Sequence, residues 1–248
     1  MVVKKFNYCI IVFMKTIISS RLPLNDAQLF ALYNFLVKDS LKGVKICFIV
    51  DAVGQIEDGL PEWVYRDAEK FKLLGAEVVL CNLCEDDINQ KILEADILFF
   101  EGGSTLRLLQ AIKDSQIMNV INSDICDNKI WFGISAGGCV LSKKCYSSCE
   151  KWFAKEPGEE LIDGLCKNGD FVFIPHFKSK DFRENTEENL TFVKEKLDDF
   201  KAIIGADSCV VTGILKNSIF EPNQEVHEAI LVEKIISLGS WGAIDSIT

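Results

Sequence analysis

A serine flanked by glycines is the feature of this chain best suited to chemistry. Ser135 stands in Gly133-Ile134-Ser135-Ala136-Gly137, directly after the apolar run Ile130-Trp131-Phe132. This is the G-x-S-x-G pattern, in which a sharp strand-to-helix turn exposes a serine hydroxyl above the edge of a sheet. Glycines permit so tight a turn because they carry no side chain that would clash. The pattern predicts a nucleophile at Ser135, with an ordinary packing turn as the alternative for so short a motif.

A second glycine turn predicts the donors that such a nucleophile needs. The apolar run Ile97-Leu98-Phe99-Phe100-Glu101 ends in Gly102-Gly103. If the two runs are neighbouring parallel strands, their turns lie side by side at the carboxyl edge of the sheet. The backbone N–H groups of Gly103 and Ala136 would then form an oxyanion hole. The N-terminus of the helix that follows Ser135 favours the same negative charge.

The choice of a general base is narrow, because the chain has only two histidines. A serine hydroxyl is a weak nucleophile and needs a base within hydrogen-bond reach. His176 ends the apolar run Phe173-Ile174-Pro175, and we expect it at the same sheet edge as Ser135. His227 lies in a polar, acidic segment and is expected to be an exposed surface residue. An α/β-hydrolase esterase with Ser135, Asp207 and His227 in that order is an alternative, but it would leave His176 unexplained.

Three motifs in order carry a resemblance to a known family. The paired glycines at 102–103, the serine turn and the Pro175-His176-Phe177 motif together resemble the serine peptidases related to peptidase E (aspartyl dipeptidase) and cyanophycinase, family S51. The resemblance covers most of the chain from about Lys15 onward. It implies a fold similar to the class I glutamine amidotransferase domain, and a serine mechanism that needs no cofactor and no metal.

The resemblance also implies an acid between the serine and the histidine, which would orient the imidazole. By its spacing the matching residue is Glu150. Glutamate in place of aspartate shifts the reach of the carboxylate by one methylene. The other acids in this stretch stay open as alternatives, and each has an ordinary surface role as its competing interpretation: Glu156, Asp163 and Asp170.

Substrate recognition is implied by the same resemblance. Peptidase E-like enzymes cleave dipeptides with an amino-terminal aspartate, whose carboxylate a guanidinium can bind in bidentate fashion. Arg183 resembles the arginine downstream of the family histidine, with a surface charge at a helix start as the alternative. Ser104, followed by Thr105, stands where the family often has Asn-Thr, and it could still offer a hydrogen bond. Cyanophycinases tend to carry Asp-Gln there, so that activity is disfavoured. A non-catalytic protein that binds a small acidic ligand is the remaining alternative.

The elements that must position these residues alternate between apolar strands and helices. Such alternation predicts an α/β fold of three layers, flavodoxin-like, in which helices cover both faces of a mostly parallel sheet. The strands are predicted at 16–19, 44–50, 77–81, 97–101, 130–132, 171–174, 202–204 and 208–215, and the helices at 25–38, 61–74, 87–94, 105–113, 116–126 and 184–197.

Composition limits the functions that remain. The 248 residues suit one domain, predicted over 15–248, and the net charge of −10 disfavours nucleic acid or an anionic membrane as a partner. Ten cysteines are scattered along the chain, and Cys81 and Cys84 form a lone C-x-x-C without the second pair that a zinc site needs. We therefore expect a reduced, cytoplasmic protein. The resemblance implies that its partner is a small peptide substrate. The sequence leaves a homodimer open.

The amino end has some features of a signal peptide, since two lysines precede the apolar run Tyr8–Met14. That run is too short to span a bilayer, and Lys15 interrupts it without a clear cleavage site beyond. We expect residues 1–14 to be a short extension that leads into the first strand.

Overall fold

The computed structural model describes residues 15–22, 26–54, 59–115, 117–146, 161–165, 167, 171–176, 202–206, 209–212 and 235–238. The predicted extension at 1–14 and the predicted helix at 184–197 lie outside these residues. The elements run in the order β1 (Lys15–Ser19), α1 (Asp26–Leu36), β2 (Lys45–Ile49), α2 (Glu62–Leu73), β3 (Glu77–Cys81), α3 (Ile88–Glu94), β4 (Ile97–Phe100), α4 (Thr105–Asp114), α5 (Met118–Ile121), α6 (Asp124–Asp127), β5 (Ile130–Ile134), α7 (Ala136–Leu141), β6 (Lys144–Tyr146), β7 (Leu161–Asp163), β8 (Phe171–Pro175), β9 (Ala202–Ala206), β10 (Cys209–Thr212) and β11 (Ile235–Leu238). A short 3-10 turn, Asp51–Val53, follows β2.

The main sheet has the strand order β11-β10-β1-β5-β4-β2-β3. The five strands from β1 to β3 are parallel to one another, and β10 and β11 extend the sheet in antiparallel fashion. Strands β4 and β5 are neighbours, with Phe100 opposite Gly133. The two glycine turns therefore lie side by side at the carboxyl edge of the sheet, as the sequence predicts.

Helices cover both faces of this sheet because its parallel strands are apolar on both sides. On β4, Leu98 and Phe100 belong to one buried cluster, whereas Ile97 and Phe99 belong to the other. Helices α1 and α2 contribute to the cluster with Phe99, and α3 to α7 contribute to the cluster with Phe100. Phe71 of α2 packs edge-on against Phe99, with ring centroids 5.3 Å apart. These layers confirm the predicted three-layer α/β fold.

A second, four-stranded sheet has the order β7-β6-β8-β9. Strand β8 lies in this sheet, so the expectation that His176 ends at the same sheet edge as Ser135 is wrong. The physical reason is the helix between them. On α7, Gly138 is in such close contact with β8 that an added Cβ would lie 2.9 Å from the ring of Phe173. Strand β8 thus packs on α7 and reaches the end of β5 from outside the main sheet.

Short elements account for the remaining differences from the sequence prediction. The helix predicted at 116–126 is divided into α5 and α6, and Ser123 between them turns its hydroxyl back to the carbonyl of Val120, 2.6 Å away. Serine side chains compete in this way with the helical hydrogen bonds. Strands β6, β7 and β11 were not predicted, and β6 and β7 have only three residues, which are too few to show a period. Within the part of the chain that the structure describes, no helix is long and apolar enough to cross a membrane.

Candidate active site

Ser135 occupies a strained turn between β5 and α7. Its backbone has φ 47° and ψ −113°, a conformation that L-residues rarely adopt because Cβ crowds the backbone. Its N–H donates to the carbonyl of Ser19, 2.7 Å away, which ties the turn to the end of β1. A Cβ on Gly133 would lie 2.4 Å from the backbone of Gly137, so glycine is required at the entry to the turn.

The glycines of α7 serve close packing. A Cβ on Gly137 would lie 2.0 Å from the carbonyl oxygen of Phe100 at the end of β4. Gly138 makes the approach to Phe173 of β8 described above, and all six residues of α7 are buried. The small residues after Ser135 thus let one short helix contact both β4, which leads to the paired glycines, and β8, which leads to the histidine.

His176 follows β8 and meets the serine. Its Nε2 lies 3.0 Å from Oγ of Ser135, and its Nδ1 is buried. Its backbone has φ 57°, and its N–H donates to Oγ of Ser20, 2.9 Å away. The end of β1 therefore holds both residues, the serine through Ser19 and the histidine through Ser20. Sequence reasoning missed this support, since two serines after a short strand give no signal of it.

The turn after β4 lies against the serine. A Cβ on Gly102 would be 3.2 Å from Cβ of Ser135. Gly103 is exposed and has φ 136°, and an added Cβ there would lie 2.4 Å from the carbonyl oxygen of Ala52. That same carbonyl accepts a hydrogen bond of 2.8 Å from the N–H of Ser104. The 3-10 turn after β2 thereby holds the backbone that contains the predicted oxyanion donor.

Ser104 has a structural task in this turn. Its Oγ accepts a hydrogen bond of 3.1 Å from the N–H of Arg107 and so caps the N-terminus of α4. The residue is buried but also lines the cleft beside Ser135. Its predicted contact with substrate therefore stays a prediction.

Of the acids predicted for the third position, Asp163 is the one within the described residues. It is exposed on β7, where its carboxylate pairs with Lys144 of β6. Several predicted residues lie outside the described part and stay predictions: Glu150, Glu156, Asp170 and Arg183, together with Asp207 and His227 of the esterase alternative.

A cleft of about 690 Å³ opens over these turns. Ser135, His176 and the segment 101–104 form part of its wall. Helix α2 adds Asp67 and Lys70, whose carboxylate oxygen and Nζ are 2.6 Å apart, and Lys70 also donates to the carbonyl of Leu22. Further cationic side chains line the same cleft: Arg21, Arg66 and Arg107. The volume suits a small ligand, and the lining is rich in charge.

Glu101 is a functional candidate that sequence reasoning read only as the end of β4. Its side chain is 0% exposed, and one carboxyl oxygen accepts a hydrogen bond of 2.6 Å from the N–H of Gly102. Burial raises the pKa of Glu101 to about 8, and the negative charge of Asp67 acts in the same direction, against the Gly102 hydrogen bond and the charge of Lys70. The sequence signal that could have identified Glu101 is a charged residue between an apolar strand and paired glycines.

Comparison with known proteins identifies the family to which the sequence is similar. The model of peptidase family S51 matches residues 17–212. An uncharacterised peptidase of Listeria monocytogenes is 27% identical over 124 residues, which span 50% of this chain and 60% of that protein. One of Listeria innocua is 25% identical over 150 residues, 58% of this chain and 71% of that protein.

Solved structures show the same fold. A candidate peptidase E protein from Listeria monocytogenes superimposes with a TM-score of 0.63 at 20% identity, covering 83% of this chain and 96% of the other. A peptidase from an acI-B1 actinobacterium gives a TM-score of 0.59 at 16% identity, covering 81% of this chain and 84% of the other. At these identities the likeness concerns the fold.

Proposed function

This chain belongs to peptidase family S51, and from that premise we propose that it is a serine peptidase of small peptides, with dipeptides that carry an amino-terminal aspartate as its substrates. The observation that supports the serine mechanism is the 3.0 Å separation between Oγ of Ser135 and Nε2 of His176. This is the reach that a general base needs to take a proton from a nucleophile. The strained backbone of Ser135 adds support, because such strain is concentrated at functional sites.

In the first step, Nε2 of His176 takes the hydroxyl proton of Ser135 while Oγ attacks the carbonyl carbon of the peptide bond. The carbonyl electron pair moves to its oxygen, which becomes an oxyanion. The N–H groups of Gly103 and Ala136 would donate to that oxygen, where preorganised donors lower the barrier most.

In the second step, the imidazolium gives its proton to the amide nitrogen, and the carbon–nitrogen bond breaks. The carboxy-terminal product leaves as an amine, and the amino-terminal residue stays on Ser135 as an ester. Water then attacks this ester, with Nε2 of His176 again taking the proton. Its return to Oγ releases the amino acid and restores the enzyme.

Two residues outside the described part complete the proposal. Glu150 would accept a hydrogen bond from Nδ1 of His176, orient the ring and stabilise its cationic form. Arg183 would bind the aspartate side chain of the substrate through a paired hydrogen bond. The size and charged lining of the described cleft support a substrate that is small and polar.

Release of free aspartate from a panel of Asp-X dipeptides tests the proposal directly. We expect turnover confined to Asp-X and abolished by Ser135→Ala. No turnover of any Asp-X substrate would remove this specificity, while labelling of Ser135 by a fluorophosphonate would still report an activated hydroxyl.

Separate replacement of the two histidines tests the choice of base. His176→Ala should abolish activity and His227→Ala should leave it intact. The opposite result would favour the esterase order with Asp207.

A further inference from the structure

Glu101 is a buried charged group in the cleft that the mechanism above does not use. It lines the same cleft as Ser135 and His176, and its side chain is fully buried. Oε1 accepts the hydrogen bond from Gly102. Oε2 is also buried, and among the residues that the structure describes it has no hydrogen-bond partner. A buried polar atom left in this state is costly, so a ligand that completes its hydrogen bonding would be bound favourably.

The surrounding charges indicate what kind of ligand this is. Asp67 and Lys70 of α2 are the titratable groups that act on Glu101, and His176 lines the same cleft. Lys70 is already engaged by the carboxylate of Asp67 and by the carbonyl of Leu22. Ionisation of Glu101 would therefore add a second negative charge beside the Asp67–Lys70 pair. Of the cationic side chains that the structure describes in the cleft, only Lys70 acts on Glu101, while Arg21, Arg66 and Arg107 also line the cleft. A cation placed at Oε2 would stabilise the added charge, whereas an anion placed there would add to the repulsion.

The position along the chain indicates which cation. Glu101 directly precedes Gly102, where an added Cβ would lie 3.2 Å from Cβ of Ser135, and Gly103, the proposed oxyanion donor, follows. In a peptide whose first carbonyl is attacked by Ser135, the α-ammonium group is carried by the carbon next to that carbonyl. A carboxyl group beside the oxyanion turn is therefore within reach of the amino terminus of the substrate.

We propose that Glu101, supported by Asp67, is the subsite for the α-ammonium group of the substrate and makes the enzyme require a free amino terminus. This rests on the proposed serine peptidase function. Before the substrate binds, the raised pKa of Glu101 keeps its carboxyl group mostly protonated at pH 7. Binding of an ammonium group favours the carboxylate, so the proton is released when the site is filled.

The test compares two ligands that differ only in the amino group, (1-aminoethyl)boronic acid and ethylboronic acid. Both can form a bond between boron and Oγ of an activated serine, and neither depends on the aspartate specificity. Dissociation constants are measured by calorimetry at pH 7 for the wild type, Glu101→Gln and the control Glu69→Gln, which removes an exposed carboxylate from α2. Repetition in two buffers of different ionisation enthalpy gives the number of protons released.

We expect the wild type and Glu69→Gln to prefer the amino compound by about 10- to 100-fold, the usual range for a hydrogen bond to a charged group. Glu101→Gln should bind both compounds alike, with unchanged affinity for ethylboronic acid. The amino compound should release about one more proton from the wild type than from Glu101→Gln.

Each other outcome overturns part of the proposal. A preference that survives in Glu101→Gln, or equal affinities in the wild type, overturns the ammonium subsite and leaves the serine mechanism standing. Binding of neither compound to the wild type overturns the activated serine itself, and the subsite with it. Should Glu101→Gln fail to fold, proton release by the wild type decides: about one more proton released with the amino compound than with ethylboronic acid supports the subsite, and equal release overturns it.

Discussion

Two strand-to-helix turns at the same edge of the sheet differ in the type of residue that adopts the left-handed backbone conformation. After β5, the left-handed backbone falls on Ser135, a residue with a side chain, at φ 47°. After β4, it falls on Gly103, at φ 136°, and no side chain is carried there. The first turn holds its helix without a side-chain cap, whereas Ser104 caps the helix after the second.

The difference follows from what each turn presents to the cleft. The β5 turn presents a hydroxyl group, so an L-residue bears the strain, and hydrogen bonding to β1 holds it in place. The β4 turn is proposed to present the backbone N–H of Gly103. Its strained position can therefore be glycine, and its side chains are left for other tasks, namely the cap at Ser104 and the buried carboxyl group of Glu101. The predictions that follow test this division between side-chain and backbone function.

The largest effect is expected from Ser135→Ala. If the β5 turn acts through its side chain, loss of the hydroxyl should lower kcat by about 10⁴- to 10⁶-fold, as removal of a triad nucleophile does. Ser142→Ala, at the other end of α7, removes a buried hydroxyl outside the cleft and should keep most activity. Dipeptide hydrolysis measures both variants. Comparable losses in the two would indicate damage to α7 and not loss of a nucleophile.

The next largest effect is the pH dependence of the free energy of unfolding that Glu101 in the β4 turn causes. The pKa of Glu101 is raised in the folded protein to about 8 from an ordinary value of 4.5. Between these values the folded protein keeps a proton that the unfolded chain has lost, so the free energy of unfolding falls as the pH rises from about 5 to 8, by at most about 5 kcal/mol. Glu101→Gln should remove this fall.

Urea unfolding of the wild type and Glu101→Gln at pH 5, 6, 7 and 8 measures the effect. The control Glu69→Gln should follow the wild type. A parallel pH dependence in all three proteins would show that Glu101 is ionised at neutral pH.

A smaller loss is expected from Gly103→Ala. The added Cβ would meet the carbonyl of Ala52 at 2.4 Å, so the turn must shift and move the proposed oxyanion donor. We expect kcat/KM to fall by about 10²- to 10³-fold, the usual result of losing one such donor. Gly43→Ala is the matched control, because φ is 71° there but no atom lies within 4 Å of the added Cβ. It should cost about 1 to 2 kcal/mol of stability and leave activity unchanged. Equal activity of the two variants would contradict the backbone role of Gly103.

The smallest effect is expected from Ser104→Ala. Loss of the cap on α4 should lower the free energy of unfolding by about 1 kcal/mol. Ser123→Ala is the comparison, since Ser123 precedes α6 without a side-chain cap. Chemical denaturation measures stability, and a parallel assay measures KM for Asp-X. If KM rises in Ser104→Ala and not in Ser123→Ala, the predicted contact between Ser104 and the substrate is supported. If the stability of Ser104→Ala is unchanged, Ser104 does not stabilise α4 as a cap.

Much of the fold followed from the pattern of apolar residues. The runs 44–50 and 97–101 predicted β2 and β4 to within about one residue at each end, because strands buried on both faces are continuously apolar. Proline and glycine marked the limits of α2. The pattern failed for the three-residue strands β6 and β7 and where serine divides a helix, as between α5 and α6.

Less of the candidate site than of the fold could be predicted from the sequence. Residue type identified Ser135 and His176, and the structure brings the two side chains together, although the expected route through one sheet is wrong. Nothing in the local sequence indicated Ser19 and Ser20, whose contacts depend on β1 lying beside β5. The sequence shows that a glutamate stands at position 101, but it does not show that this side chain is buried or that Asp67 and Lys70 of α2 lie near it.

The sequence by itself determined the alternation of strands and helices, the glycines that the two turns require, and the candidate catalytic side chains. These depend on local sterics and on hydrophobic periodicity, which act between residues that are close in the chain. The tertiary structure alone decided that β8 reaches Ser135 over α7, that β1 anchors both candidate catalytic residues, and that Glu101 is buried near the Asp67–Lys70 pair. Those relations depend on packing and on electrostatics between residues far apart in sequence, where distance and burial, not residue type, set the interaction.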